Sequence, residues 1–426
     1  MAFSDKTLIS RRLFTRFALG AASTLLLAGC DASDDASDVD GAVDSSEAAE
    51  EVTTTVTVYD RDAETEPEPE QDPNTISIVM VGDILVHPSV WESGELEDGT
   101  RNYDHLFAQV ADVVEDASLA ILVQETILGD EDLGFSGFPT FCSPQEIGDA
   151  EVEAGFDVAV HATNHSIDQG LIGIETELAY WRNSHPEMTV VGIADSEEVA
   201  AEVPVLEVGE HSVCVLSYTR SLNGLELPDD APWAVRMIDE DQIASDIQLA
   251  RDQGAELVIV CPHWGTEYTH EPNDYQTTWA QTIADLGADV IIGSHTHALQ
   301  PVTTIESSDG RTVPLYWSLG NFVSGQSREI TMVGGMARLT VTFNDDGSFT
   351  FASIGLSPVV THKAEGTNFT TYFLADYTEE LAASNLILES DTEDCTGFTR
   401  AWCVDECADC LGDGFDAETC EYVLSI

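Results

Sequence analysis

Five short polar clusters, each directly after a run of large apolar residues, constrain this chain more than any other feature. They are Val81-Gly82-Asp83, Gln124-Glu125-Thr126, Ala162-Thr163-Asn164-His165-Ser166-Ile167-Asp168, Cys261-Pro262-His263-Trp264-Gly265 and Gly293-Ser294-His295-Thr296-His297. The runs ahead of them, at 76–81, 119–123, 157–160, 257–261 and 290–292, are short and β-branched and read as buried strands. Between them lie longer amphipathic stretches at 106–114, 144–154, 172–181, 239–253 and 275–286 that read as helices, and further strands fall near Val190 and over 203–217. Such alternation predicts an α/β architecture with helices packed outside a sheet. Past Val302 the helical pattern stops, and 314–319, 334–343 and 349–356 read as β, with a turn at Asn344-Asp345-Asp346-Gly347.

Open α/β sheets place ligands at strand ends, which is where all five clusters fall. One histidine beside a strand is usually a hydrogen-bonded bystander, but five donor-rich clusters together form a constellation. Carboxylates, imidazoles and an amide oxygen are the donors that hold divalent ions, and a carboxylate can bridge two of them. If Gly293–His297 is extended, His295 and His297 point to the same side and can reach neighbouring ions. Two ions about 3.5–4 Å apart would clamp an attacking hydroxide and a substrate oxygen, giving hydrolysis without a covalent protein nucleophile.

Charge narrows the partners. The 79 acidic residues outnumber the 15 basic ones for a net charge of −64, and Lys6 and Lys363 are the only lysines. Nucleic acid is therefore excluded, since phosphate backbones need clustered Lys and Arg. So acidic a surface stays soluble most easily where salt or divalent cations screen it.

Residues 1–30 read as an address. Ser10-Arg11-Arg12-Leu13-Phe14-Thr15-Arg16 resembles a twin-arginine export signal, and the apolar run that follows ends at Leu27-Ala28-Gly29-Cys30, which resembles a bacterial lipobox. That run, 17–29, is too short to span hydrocarbon as a helix, which takes about 20 residues. The expectation is a lipoprotein anchored through Cys30 to the outer face of the bacterial cell membrane. Residues 31–74 are acidic and poor in large apolar groups, and read as a disordered tether. The folded domain is expected over 75–376.

Residues 377–426 carry Cys395, Cys403, Cys407, Cys410 and Cys420. A zinc site fits the Cys407-x-x-Cys410 spacing, but an exported domain favours disulfides, with Cys142 joining the five as three bridges while Cys214 and Cys261 stay buried as thiols. Arg220, Asn223 and Arg236 are candidates for a substrate entrance, the arginines having a surface salt bridge as the alternative role.

From about Ile76 to Asp376 the sequence resembles the CapA proteins of poly-gamma-glutamate capsule synthesis, which are related to the calcineurin-like metallophosphoesterases. Besides the five clusters, the resemblance is carried by Ala154-Gly155-Phe156-Asp157, Ala288-Asp289-Val290-Ile291-Ile292-Gly293 and Tyr316-Trp317-Ser318-Leu319-Gly320-Asn321-Phe322. It implies a calcineurin-like sandwich of mixed β-sheets flanked by helices, holding two divalent ions, with manganese, iron or zinc compatible. Asp83 would bind the first ion and Glu125 would bridge the pair. Asn164, His263 and His295 would bind the second, and His297 would return to the first. His165 would give a proton to the leaving group, oriented by Asp168, and His87 is a further candidate ligand or an ordinary loop histidine. The family usually has Asn-Leu-Glu at 123–125, Asn-Asn-His at 163–165 and proline at Thr296, so this chain departs beside its ligands and not at them. The implied function is an exported, metal-dependent hydrolase of capsule or cell-envelope polymer metabolism. The alternative is a nonhydrolytic component of a synthesis and export complex that binds an anionic polymer such as poly-gamma-glutamate.

Overall fold

The computed structural model describes residues 7–8, 72–364, 368–390, 395 and 397–425. The twin-arginine pattern, Cys30 and all but the last residues of the expected tether lie outside them.

Strands β1 (Thr75–Leu85), β2 (Leu119–Gln124), β3 (Val158–Val160) and β4 (Thr189–Val191) open the first sheet. The chain then builds a second sheet from β5 (Val205–Val208), β6 (His211–Thr219), β7 (Leu257–His263), β8 (Val290–Ile292), β9 (Val302–Glu306) and β10 (Thr312–Tyr316). It returns to the first with β11 (Asn321–Ser324), β12 (Val333–Phe343), β13 (Phe349–Ala364), β14 (Asn368–Phe373), β15 (Phe415–Asp416) and β16 (Glu421–Val423). The first sheet runs β15-β16-β13-β12-β1-β2-β3-β4, with β11 beside β1 and β14 beside β13; the second runs β5-β6-β7-β8-β10-β9, with Thr7–Leu8 at its β5 edge. The segments β1-β2-β3-β4 and β6-β7-β8-β10 are parallel, so their carboxyl ends line up.

Strand alternation decides how the layers stack. On β1, Ile76, Ile78 and Met80 face the same core as Leu257, Ile259 and Cys261 of β7, and the Cys261 sulfur lies 3.7 Å from that of Met80. The intervening Val79 and Val81 face the opposite way, toward helices α1 (Ala111–Asp116), α2 (Glu146–Glu153) and α3 (Gly170–Ser184). Val258 and Val260 likewise pack on α4 (Glu240–Asp252) and α5 (Asp274–Leu286). A strand buried on both faces needs apolar residues at every position, which explains the continuous runs in the sequence. The result is the expected sandwich of two mixed sheets flanked by helices. Caps end the helices as their sequences dictate: Asp239 accepts the Gln242 N–H of α4, and Asn273 with Gln276 forms a capping box on α5.

The expectation that helices stop after Val302 is corrected by α6 (Glu379–Ser384) and α7 (Arg400–Leu411). Helix α7 has cysteines where apolar residues would mark its buried face: Cys403 and Cys407, one turn apart, enter the core between the sheets together with Leu411. The expected disulfides are also corrected, since Cys142, Cys403, Cys407, Cys410 and Cys420 are all thiols. Three of these five share the single helix α7, and burial raises the Cys403 and Cys407 thiols well above their ordinary range. Strand β16 pairs with β13, so residues 377–425 belong to the same folded unit as the sandwich.

Candidate metal centre

The carboxyl ends of the two parallel segments meet at one cleft, and all five clusters supply side chains to it from strand ends or the loops that follow. Asp83 lies in the buried carboxyl-terminal part of β1, beside Gly82, which lets two backbones touch: a Cβ on Gly82 would stand 2.0 Å from the Gly320 carbonyl, and the Asp83 N–H donates to that same oxygen at 2.9 Å. Glu125 follows β2, with its own carbonyl held by the Thr163 hydroxyl at 2.8 Å. His263 is the last residue of β7 and His295 and His297 follow β8.

The donors converge in two overlapping groups. Asp83, Glu125 and His297 form one and Glu125, His263 and His295 the other, each offering ligand atoms within 4.8 Å of one another. Glu125 belongs to both. His297 Nδ1 lies 3.2 Å from an Asp83 oxygen, His263 Nε2 lies 3.6 Å from Glu125, and Asn164 Oδ1 stands 2.7 Å from His263 Nε2. Both oxygens of Glu125, fully buried, have no hydrogen-bond partner. A buried carboxylate normally takes donors on both oxygens. Here they are surrounded by imidazoles instead, which is the environment of a carboxylate that fits cations. Burial pushes Glu125 up to about 8 and His263 down to about 3. Burial would also raise Asp83, but the His297 hydrogen bond and the charges of three histidines bring it below its ordinary value. Burial opposes protonation of His297, yet Glu125 and Asp83 together raise it to about 9. Each acidic group is thus tuned by the imidazoles around it, and the set suits metal ions.

Most of the expected site residues come together. Asp168 holds His165, its Oδ2 lying 2.7 Å from Nδ1 and accepting the Phe141 N–H at 2.7 Å. Asn223 stands 3.3 Å from His165 Nε2, and Arg220 lies on the rim, donating to the Gly265 carbonyl at 3.2 Å. His87 sits outside both donor groups, with Nδ1 3.2 Å from the Leu85 carbonyl and accepting the Gly325 N–H at 3.3 Å. Arg236 is a correction: its guanidinium pairs with buried Asp246 and donates to the Ala200 and Glu202 carbonyls, so its donors are spent inside the fold. The extended geometry expected for His295 and His297 is also corrected. Their φ angles are 95° and 56°, so left-handed backbone, and not strand alternation, turns the rings into neighbouring groups.

Two positioning residues escaped sequence reasoning. Asn321 Oδ1 stands 3.1 Å from His297 Nδ1, and Ser294 Oγ 2.8 Å from His263 Nδ1. Such partners fix which ring nitrogen faces the cleft. Asn321 had one visible signal, its place in a Leu-Gly-Asn-Phe segment ahead of a strand; Ser294 had none beyond its neighbours.

Known proteins place these observations in a family. A CapA described as a PGA biosynthesis protein of Bacillus subtilis (strain 168) is 29% identical over 213 residues, covering 50% of this chain and 53% of that protein. A capsule biosynthesis protein CapA of Bacillus anthracis is 30% identical over 186 residues, 43% of each. The chain thus spans about half the length of the curated relatives it matches. Among solved structures, the calcineurin-like phosphoesterase YfkN of Bacillus subtilis superposes with a TM-score of 0.37 at 16% identity, over 67% of this chain and 90% of that one. Residues 77–326, more than half of the sequence and every donor from Asp83 to His297, match the family described as bacterial capsule synthesis protein PGA_cap, and the chain belongs to that family.

Proposed function

We propose that the chain is an exported, membrane-tethered, metal-dependent hydrolase of capsule or cell-envelope polymer metabolism, working through a dinuclear centre at this cleft. The observation that carries the reading is Glu125, a buried carboxylate shared by two donor groups and lacking any hydrogen-bond donor of its own. Asp83, Glu125 and His297 would hold one ion, and Glu125, Asn164, His263 and His295 the other. Bound there, two divalent ions would supply Lewis acidity and a water acidic enough to attack at neutral pH.

The chain's own residues supply the rest. The Asp168 carboxylate accepts a hydrogen bond from His165 Nδ1–H, and the Phe141 ring packs edge-on against the imidazole with centroids 4.7 Å apart. His165 Nε2 is left facing Asn223 and the cleft, placed to give a proton to a departing oxygen or nitrogen. The Leu27–Cys30 segment supports a lipid anchor outside the cell membrane, and the acidic stretch after it supports a tether.

Metal analysis of the purified chain and hydrolysis of a chromogenic phosphodiester test this together. About two ions per chain are expected, and His165→Ala should lower turnover roughly 10²–10⁴-fold with metal content unchanged. Less than one ion per chain would overturn the centre. Two ions with no turnover of any ester or amide would favour the nonhydrolytic alternative, a polymer-binding component of a synthesis and export complex, consistent with the names of the curated relatives.

A further inference from the structure

The described residues contain five arginines that each hold a carboxylate: Arg101, Arg182, Arg236, Arg251 and Arg311. In so acidic a chain that is the default fate of a guanidinium. Two exposed arginines at the cleft escape it. Arg220 lies 4.3 Å over the Tyr275 ring and donates to one carbonyl, that of Gly265. Arg328 lies 4.0 Å over the Tyr268 ring. Neither forms an ion pair among the described residues. Arg338 and Arg400 lack one too, but they turn to the Ser357 hydroxyl and the Cys420 sulfur.

Both stacked arginines flank the loop that follows His263. Arg220 clasps its base, at Gly265 and Tyr275, and Arg328 covers Tyr268, whose ring centre lies 6.0 Å from that of His297. The backbone adds an independent observation. Of the five non-glycine residues with positive φ among the described residues, His295 and His297 are candidate donors, Tyr268 lies under Arg328, and Asn223 follows Arg220 in the chain and faces His165. Left-handed backbone at such residues is unfavourable and persists where the surroundings impose it, characteristically at ligand clamps. Tyr268 is held there by its N–H to the Thr296 carbonyl at 2.8 Å and by the Gln326 amide, which donates to its hydroxyl at 3.3 Å. Gln326 also accepts from Asn321, the partner of His297, so the platform under Arg328 is tied to the donor set.

A guanidinium stacked on an aromatic face keeps its N–H edge free, and that planar edge matches a carboxylate or phosphate with two parallel hydrogen bonds. We propose that Arg220 and Arg328 are a specificity-determining pair that grips two anionic groups of one extended ligand on either side of the metal centre. The ligand class is a chain bearing repeated carboxylate or phosphate groups. The pair would offset the repulsion that the acidic surface imposes on any such chain. The proposal rests on the metal cleft being the working site, but not on hydrolysis there.

Calorimetric titration of the full chain, purified with its metals, tests it with hexaglutamate and a six-unit glycerol phosphate oligomer as anionic probes and hexaglutamine as the neutral one. The hexaglutamate or the phosphate oligomer should bind and hexaglutamine should not; Arg220→Ala and Arg328→Ala should each weaken the oligoanion about tenfold, and the double variant about a hundredfold or more. Arg182→Ala, which removes an arginine paired with Asp195 outside the cleft, should leave binding unchanged, and metal content and melting temperature should match the parent throughout. Loss of only one of the two anions in the double variant identifies the group recognised. Binding of both by the double variant at parental affinity, no anion binding by the parent, or equal binding of hexaglutamine overturns the proposal. If no ester or amide is turned over but the double variant loses the anion, the hydrolase reading falls and the clamp stands; turnover with unaltered anion binding is the reverse.

Discussion

Glu125 and Glu177 are both fully buried, and the structure treats them in opposite ways. Glu177, on α3, has every oxygen engaged: Oε2 accepts the Leu128 N–H and meets His161 Nε2, both at 2.9 Å, and Oε1 accepts the Trp181 indole N–H at 3.1 Å. It pins α3 to β3 and to the segment after Glu125, and nothing is left over for a ligand. Glu125 faces three imidazoles and has neither oxygen engaged. A third glutamate prevents too simple a lesson. Glu151 is equally buried and equally unpartnered, but burial and then Glu177 raise it well above its ordinary value, and it belongs to neither donor group. An orphan carboxylate on which ligand-type donors converge is a candidate cation site, and one without such donors is an unsatisfied group inside the fold.

Substitution separates the three. Glu125→Gln should remove the shared donor, cutting metal content by at least half and lowering any hydrolysis by more than about 10³-fold, measured by metal analysis and turnover. Retention of both ions would dissolve the contrast with Glu151. Glu177→Leu should leave the metal donors in place but destabilise the fold by roughly 3–5 kcal/mol in denaturant titration, because His161 and the Leu128 N–H lose their partner inside the protein. Glu151→Met should instead stabilise by about 1–3 kcal/mol, since it removes a buried polar group that nothing satisfies.

A smaller effect concerns the C-terminal segment. His270 contacts Glu406 of α7 and lies 2.6 Å from the Leu299 carbonyl, two residues past His297, while Cys410 donates to that same oxygen at 3.3 Å. Burial opposes protonation of His270, but its contacts with Cys410, Glu406 and Leu299 raise it to about 10. A histidine raised in the folded state contributes stability that is fully present below its unfolded value of about 6.5 and is lost as pH climbs toward 10. His270→Gln should therefore cost about 1–2 kcal/mol at pH 6 and close to nothing above pH 10, read from melting curves across pH.

Much of the centre was legible because the chemistry leaves few choices. Carboxylate and imidazole donors directly after apolar runs at 119–124 and 257–263 announce strand ends, and strand ends in parallel sheets converge. The departures arise where local pattern carries no information about the partner. Nothing in the sequence around Arg236 distinguishes it from Arg220, and only packing puts Asp246 against the first and an aromatic ring under the second. The cysteines of α7 resemble a disulfide framework by count, yet Cys403 and Cys407 serve as small apolar groups in the core.

By itself, then, the sequence determined the layered α/β architecture and singled out the candidate donors, since burial on two faces demands apolar runs and cation-type donors at strand ends stand out against them. The tertiary structure alone decided that Glu125 stands between two donor groups with its oxygens free, and that left-handed turns at His295 and His297 aim two imidazoles of one loop into different groups. Convergence across two sheets and backbone handedness depend on contacts between residues more than 200 positions apart, such as Asp83 with His297, and no local pattern encodes them.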